Sequence, residues 1–412
     1  MADYLINGSV YSGNEHSLQE ALAKVYKLKD RPLCMCRQPG IAMYIAKIAD
    51  IYLIKRMPET GIEHSPHCES YEPPPELSGL GEVMGQAIKE DPISGTISLK
   101  LDFALTKTTG RAPPPQSDSP SDTVKTDGKK LTLRSVLHYL WDVSGMTKWA
   151  PKMEGRRSWF TVQKFVTEAA QGKLIKGMDL AASIYIPEPF YPDRKGEIAL
   201  RRDARFGDLQ RLEKGSRKLM ILVGEVKEIC PARYGHKIIV KHAPDCHFML
   251  QDDIHKRLLK RFSSEIELCT AIDGSHLIAV ATFGVSPAGV ASIEEIALMA
   301  TTENWIPFED VREKELIDNL TDQSRHFVKG MRYNMPVGRS LAAVVLSDTL
   351  PWPTGMYIIG ADSSEEQTNA IEELAESSSL ANWVWRVGVE SMPVFPKKIH
   401  ASELSEASKA TS

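Results

Sequence analysis

The chain has 412 residues, a formal net charge of -4, 42% hydrophobic residues and 25% charged residues. These proportions exclude wholesale disorder and fibrous repeats, and they leave room for roughly two or three domains. The slight acidity excludes an all-over cationic binder of the histone kind, although a local basic groove remains open.

Taken in chain order, short apolar runs at 41–45 and 51–57 predict a β-hairpin inside an N-terminal module covering residues 1–107. At 108–130 Pro, Ser, Asp, Thr and Gly replace the hydrophobic periodicity, and Pro113 to Pro115 stiffen its start, so this segment reads as a flexible linker. Two helices are expected at 133–143 and 159–170, inside a basic region spanning 131–213. Strands then dominate, at 219–226, 237–241, 276–283, 293–301, 341–346, 355–360 and 383–389. Helices punctuate them at 253–262, 309–320 and 365–376, the last capped from the Ser363 and Ser364 pair. Short Pro or Gly turns between strands predict a mixed or antiparallel α+β domain over 214–396, followed by a disordered tail at 397–412. There is no internal repeat. No run approaches the roughly 18 apolar residues of a membrane helix, and the start lacks a basic segment followed by an apolar one. A soluble, cytoplasmic protein with no membrane partner is the expectation.

Six cysteines are too few and too uneven for a disulfide framework, and in a reducing compartment clustered thiols point to metal. Cys34 and Cys36 precede the hairpin, and His64, His67 and Cys68 follow it. A tetrahedral zinc site takes about four thiolate or imidazole donors from two chain segments. Cys34, Cys36, His64 and Cys68 form the first set, with His67 as the alternative to His64. Four protein ligands leave no open position for water, so zinc here is expected to be structural.

The run Pro32-Leu33-Cys34-Met35-Cys36, the Leu53-Ile54-Lys55-Arg56-Met57-Pro58 strand, His64, and Cys68-Glu69-Ser70-Tyr71 resemble the opening of an uncharacterised bacterial family. That family is carried mainly on plasmids and integrative conjugative elements. His138-Tyr139-Leu140-Trp141, Gly224-Glu225-Val226-Lys227-Glu228, Trp305-Ile306-Pro307 and Phe327-Val328-Lys329-Gly330-Met331-Arg332-Tyr333-Asn334 are similar to its later blocks. The resemblance implies a mobile-element gene and, with it, conjugation or plasmid-maintenance partners. It implies no mechanism.

Three further patterns bear on chemistry. Glu225 and Lys227 follow an apolar strand, where alternation puts them on one face. With Asp208 as a further acid they match part of a nuclease core that holds magnesium, although a Glu-x-Lys triplet is also a common surface pair. His242, Asp245, His247, Asp252, Asp253 and His255 could ligate a second metal, but Asp252 and Asp253 suit a helix start better. His276 and Asp348 sit at strand ends, where catalytic groups can sit, and no spacing selects them.

In 131–213, 14 Lys and Arg stand against 10 Asp and Glu, a net +4, which leaves -8 for the remainder. There Lys148, Trp149, Lys152, Arg156, Arg157 and Trp159 mix cations with flat rings, a combination that contacts phosphates and stacks on DNA or RNA bases. Lys256, Arg257, Lys260 and Arg261 gather on one side of a helix. Arg325, Lys329, Arg332 and Arg339 form either a phosphate-binding rim or compensation for a helix end. Phosphate-loop, dinucleotide, serine-hydrolase and zincin motifs are all lacking. The leading expectation is therefore a zinc-binding accessory protein of mobile elements that associates with nucleic acid or nucleoprotein. A magnesium-dependent nuclease and a protein-interaction scaffold stand as alternatives.

Overall fold

The computed structural model describes residues 3–399 apart from 14–16, 29, 49–50, 92–95, 109–127, 214 and 337. The fold is α+β. The expected hairpin forms from Ile41–Ile48 and Ile51–Arg56, with Ile45 opposite Ile54. Leu33–Cys34, Asp3–Ile6 and Ser9–Ser12 extend it into a five-stranded antiparallel sheet. Leu18, Leu22 and Val25 recur at helical spacing in Ser17–Leu28, and this stripe packs on Ile6 and Ile45. Burying Leu22 and Val25 contributes about 1.5–3 kcal/mol each.

The composition shift near residue 108 is not a break in packing. Ile97–Leu99 pairs in parallel with Lys173–Ile175, and Thr106–Thr108 pairs with Ser216–Lys218. Val83, Ile88, Leu99 and Leu105 share one core with Leu137, Trp141 and Ile221. Of the linker expected at 108–130, residues 109–127 lie outside the described residues, as do 400–412 of the expected tail. Residues just before that tail are anchored, with the Ile399 amide donating to the Asp348 carbonyl at 2.9 Å.

Helix Leu133–Val143 starts at Thr132, whose hydroxyl accepts from the Ser135 amide. Its apolar stripe of Leu133, Val136, Leu137, Leu140 and Trp141 is fully buried against the strands that follow. Those strands close into a barrel. Met220–Pro231, His236–Val240 and Ala243–Leu250 run as an antiparallel meander. Helix Asp252–Ala271 follows, and then the antiparallel pair His276–Val285 and Ala291–Thr301. Ala291–Thr301 lies parallel to Ala243–Leu250, and His276–Val285 returns to pair with Met220–Pro231. The order around the barrel is first, second, third, fifth, fourth and back to first.

The first strand divides its length between two neighbours. Met220 to Glu225 pair with Phe283 to Ile278, and from Val226 onward the partner is His236–Val240. A Cβ at Gly224 would sit 2.7 Å from Val240 Cγ1, so glycine permits the close crossing. A bulge between Val226 and Glu228 adds the kink. Helix Asp252–Ala271 sets Ile254, Leu258 and Phe262 into the same core as Phe248 and Phe283.

A second body sheet orders Ala381–Arg386, Thr354–Ile359, Val344–Leu346, Phe327–Lys329 and Lys148–Trp149, and its parallel outer pair is joined by helix Glu365–Ser377. Ser364 caps that helix in a reciprocal box with Gln367. Among the described residues no helix is long and apolar enough to cross a membrane.

Candidate metal centre and surrounding polar clusters

Cys34 ends its strand, Cys36 lies in the turn before Gly40, and His64 follows a 3-10 turn at Gly61–Glu63. The turns after Pro66 bring Cys68 back, so two loops of the N-terminal layer face each other. The ligand atoms of Cys34, Cys36, His64 and Cys68 all lie within 4.8 Å of one another. Cys34 and His64 are wholly buried.

The edges of this cluster test whether a metal fits. Bond lengths of about 2.3 Å to sulfur and about 2.0 Å to nitrogen put tetrahedral S···S edges near ~3.8 Å and S···N edges near ~3.5 Å. Cys34 Sγ and Cys68 Sγ are 3.7 Å apart, far beyond a disulfide bond. His64 Nδ1 is 3.3 Å from Cys36 Sγ and 3.6 Å from Cys68 Sγ. The four side chains can therefore hold a metal ion such as zinc. Backbone amides support the sulfurs: Ser65 N donates to Cys36 at 3.5 Å and Ser70 N to Cys68 at 3.4 Å. Hydrogen bonds with Cys36 and Cys68 push Cys34 far up, whereas those with Cys34 and Cys36 hold Cys68 far below its ordinary value. His67 points elsewhere. It is exposed and lies near Asp348 and His326 of the body, so His64 is the histidine in the cluster.

Glu225 does not join an acidic cluster; it is buried, with Lys241 Nζ donating to its carboxylate at 2.5 Å and His276 Nδ1 at 2.6 Å. Burial pushes this carboxyl up, but the His276 and Lys241 contacts outweigh it and leave the value lowered. His276 stacks on Trp305 at 3.8 Å, and His242, 3.9 Å from the same carboxylate, stacks on Trp159 at 5.1 Å. Alternation does not place Lys227 beside Glu225. Lys227 is the bulge residue, exposed while Glu225 is buried. Asp208 is an exposed residue of a 3-10 turn, 3.4 Å from Arg211. Among the described residues no acidic cluster offers magnesium a site at Glu225.

The second histidine and acid stretch is taken up in structure. Asp245 pairs with Arg202 at 2.8 Å, His236 lies 3.3 Å from Asp252 and stacks on His255, and Asp252 and Asp253 open a helix. Asp348 forms a buried pair with Arg325 at 2.9 Å. Lys329, Arg332 and Arg339 meet Glu313, Glu309 and Glu82 in turn. Every cation of the expected phosphate rim therefore has a carboxylate partner.

Of the six residues expected to touch nucleic acid, only Lys152 and Arg156 are exposed. Trp149 and Trp159 are buried, and the Trp159 Nε1 donates to the Pro187 carbonyl at 2.8 Å. Lys148 Nζ donates to the carbonyls of Glu69 and Tyr71, which ties the Cys68 loop to the body. Arg157 donates to the carbonyls of Met146 and Asn304, at 3.0 and 3.1 Å, and of Lys148, and burial lowers its guanidinium to about 10. Tryptophans and cations mixed in sequence here make an internal brace.

A different surface presents cations beside rings. On the second and third barrel strands, Ile238, Val240, Phe248 and Leu250 point inward and are buried. Cys230, Lys237 and Met249 form one outward row, and Glu228, Ile239 and His247 the next. The turn between the first two strands carries Arg233 over the ring of Tyr234 at 5.4 Å, and Tyr234 is 76% exposed. Sequence reading missed this face because it assigned no strand at 243–250 and read the histidines and acids there as a stretch leading into a helix start. The signal was present as three strands, a helix and two strands.

A family model described as "Protein of unknown function (DUF1173)" matches residues 4–388. No curated protein and no solved structure matches the chain.

Proposed function

The chain belongs to this DUF1173 family over nearly its whole length, and from that premise we propose that it is a zinc-stapled protein that binds single-stranded nucleic acid on its barrel. The carrying observation is the strand order. Five strands closed as 1-2-3-5-4, with a helix after the third and a parallel pairing of third and fifth, make the OB topology. Such barrels take single strands across the second and third strands and the flanking loops, using cations for phosphates and exposed rings for bases. Fold alone does not assign function. The surface chemistry supports the reading here, because Lys227, Arg233, Tyr234 and Lys237 lie on or beside that face, with Glu228 on the first strand, Asp245, paired to Arg202, on the third and Asp252 against the turn as the nearby acids.

Zinc is the metal that the donor set suits, three soft thiolates and one imidazole in a closed tetrahedron. Its role is structural: it joins strand Leu33–Cys34 to the 61–72 loops, which Lys148 holds against the body. The resemblance to genes of mobile elements supports single-stranded or nucleoprotein substrates, with conjugation or plasmid-maintenance proteins as partners. Fluorescence anisotropy with a labelled single-stranded oligonucleotide tests the reading. Affinity should fall steeply with salt and exceed that for duplex of equal length. Binding no stronger than that of a neutral control protein contradicts it. Cleavage in magnesium that Glu225→Gln abolishes would instead favour the nuclease.

A further inference from the structure

A cavity of about 530 Å³ lies between the hairpin strand Ile51–Arg56, the loops that follow Cys68, and the body. Its size is that of a small-molecule site. Leu77, Leu80, Met84, Ile88, Ile97 and Val345 supply apolar wall. Among the charged groups that line it, most cations are spoken for. Arg56 pairs with Glu72 at 2.5 Å, Lys329 with Glu313, and Lys148 with two carbonyls.

Lys55 and Lys173 differ from these. Lys173 is 2% exposed, and among the described residues its Nζ donates only to the Gln171 carbonyl, at 3.4 Å. Glu90, Lys55 and Asp179 are the charged groups near it. Glu90 also accepts from the Tyr44 hydroxyl. Two ammonium groups thus share one nearby cavity carboxylate in a desolvated wall. Burial, and then the Lys55 charge, lower Lys173 to about 8. A buried cation so poorly compensated is costly, and an incoming anion would remove the cost. Tyr333 and Asp142 also line the cavity; Tyr333 donates to Asp142 at 2.5 Å, and burial raises that carboxyl to about 6, which makes a polar group able to take a ligand donor.

We infer that this cavity binds a small organic anion, its carboxylate or phosphate between Lys55 and Lys173 and its apolar body against Leu77, Leu80 and Ile97. The site is separate from the barrel face and does not depend on the nucleic-acid reading.

The test is calorimetry on the zinc-loaded full chain with phenyl phosphate and benzoate as probes. Inorganic phosphate serves as the control without a body, and phenol as the control without a charge. At least one probe should bind at 25 °C and pH 7 more tightly than both controls, and the tighter probe assigns phosphate or carboxylate as the anionic group. Lys173→Met should weaken it roughly tenfold or more, since a charge-assisted bond of about 1.5–3 kcal/mol is lost. Lys55→Gln, at a partly exposed position, should weaken it as well without a fall in Tm, so a folding defect in one variant cannot decide the outcome. Affinity should also decline as pH rises past about 8. Binding of neither probe above the controls, or binding unchanged in both variants, overturns the inference.

Discussion

His276 Nδ1 lies 2.6 Å from the buried carboxylate of Glu225, and Lys241 Nζ donates to the same oxygen. The carboxyl is lowered because these two partners outweigh burial. A lowered folded value means that the stability it contributes is fully present above the unfolded value near ~4.3 and is lost as pH falls through the folded value. Glu225→Gln should therefore lower Tm at pH 7 and flatten the acid limb of the stability curve. The loss should be roughly 1–3 kcal/mol, because Lys241 is 45% exposed and can rehydrate. Thermal melts from pH 3 to 7 check this, and a variant whose Tm tracks the wild type over that range contradicts the assignment.

The Cys/His cluster separates two histidines three residues apart. His64 sits in the cluster and His67 is exposed. Elemental analysis should return about one zinc per chain for the wild type and His67→Ala, and much less for His64→Ala and Cys36→Ser. Removing zinc with a chelator should raise amide exchange across residues 33–72 before the barrel opens, since metal binding is folding energy for the segment it closes. Zinc retained by His64→Ala and lost by His67→Ala would reverse the ligand assignment.

Spacing made this centre legible from sequence, because ligand pairs flanking a hairpin need only the hairpin to form, and Ile41–Ile48 with Ile51–Arg56 form it. The barrel was legible in four strands of five. Ala243–Leu250 was overlooked although exposed Asp245 and His247 alternate with core-packed Cys246 and buried Phe248, because its histidine and acid residues drew the reading to a metal set or a helix start. Glu225 and Lys227 were assigned to one face because a bulge leaves no mark in residue spacing. The brace around Arg157 was opaque for a different reason. Cations beside tryptophans read as a nucleic-acid surface unless the carbonyls that receive them, such as Asn304, are known to lie close.

That brace carries its own prediction. Arg157→Ala leaves the carbonyls of Met146, Asn304 and Lys148 without their donor and uncovers the Trp149 ring. It should cost roughly 2–4 kcal/mol in urea unfolding. Lys152→Ala, at an exposed position in the same stretch, should stay within about 0.5 kcal/mol of wild type. Equal effects of the two substitutions would show that Arg157 is not a brace.

The most direct test of the account is the affinity of barrel-face variants for single strands. In anisotropy titrations with a fluorescent oligothymidine of about 16 nucleotides, enough to span one such barrel, Tyr234→Ala should lose about 1–3 kcal/mol of binding. The double variant Lys227→Ala/Lys237→Ala should bind more weakly and with a shallower salt slope. Lys152→Ala/Arg156→Ala, in the segment that reads as basic in sequence, should bind much as the wild type does. Undiminished affinity in the barrel-face variants, or a loss confined to Lys152 and Arg156, would contradict the claim.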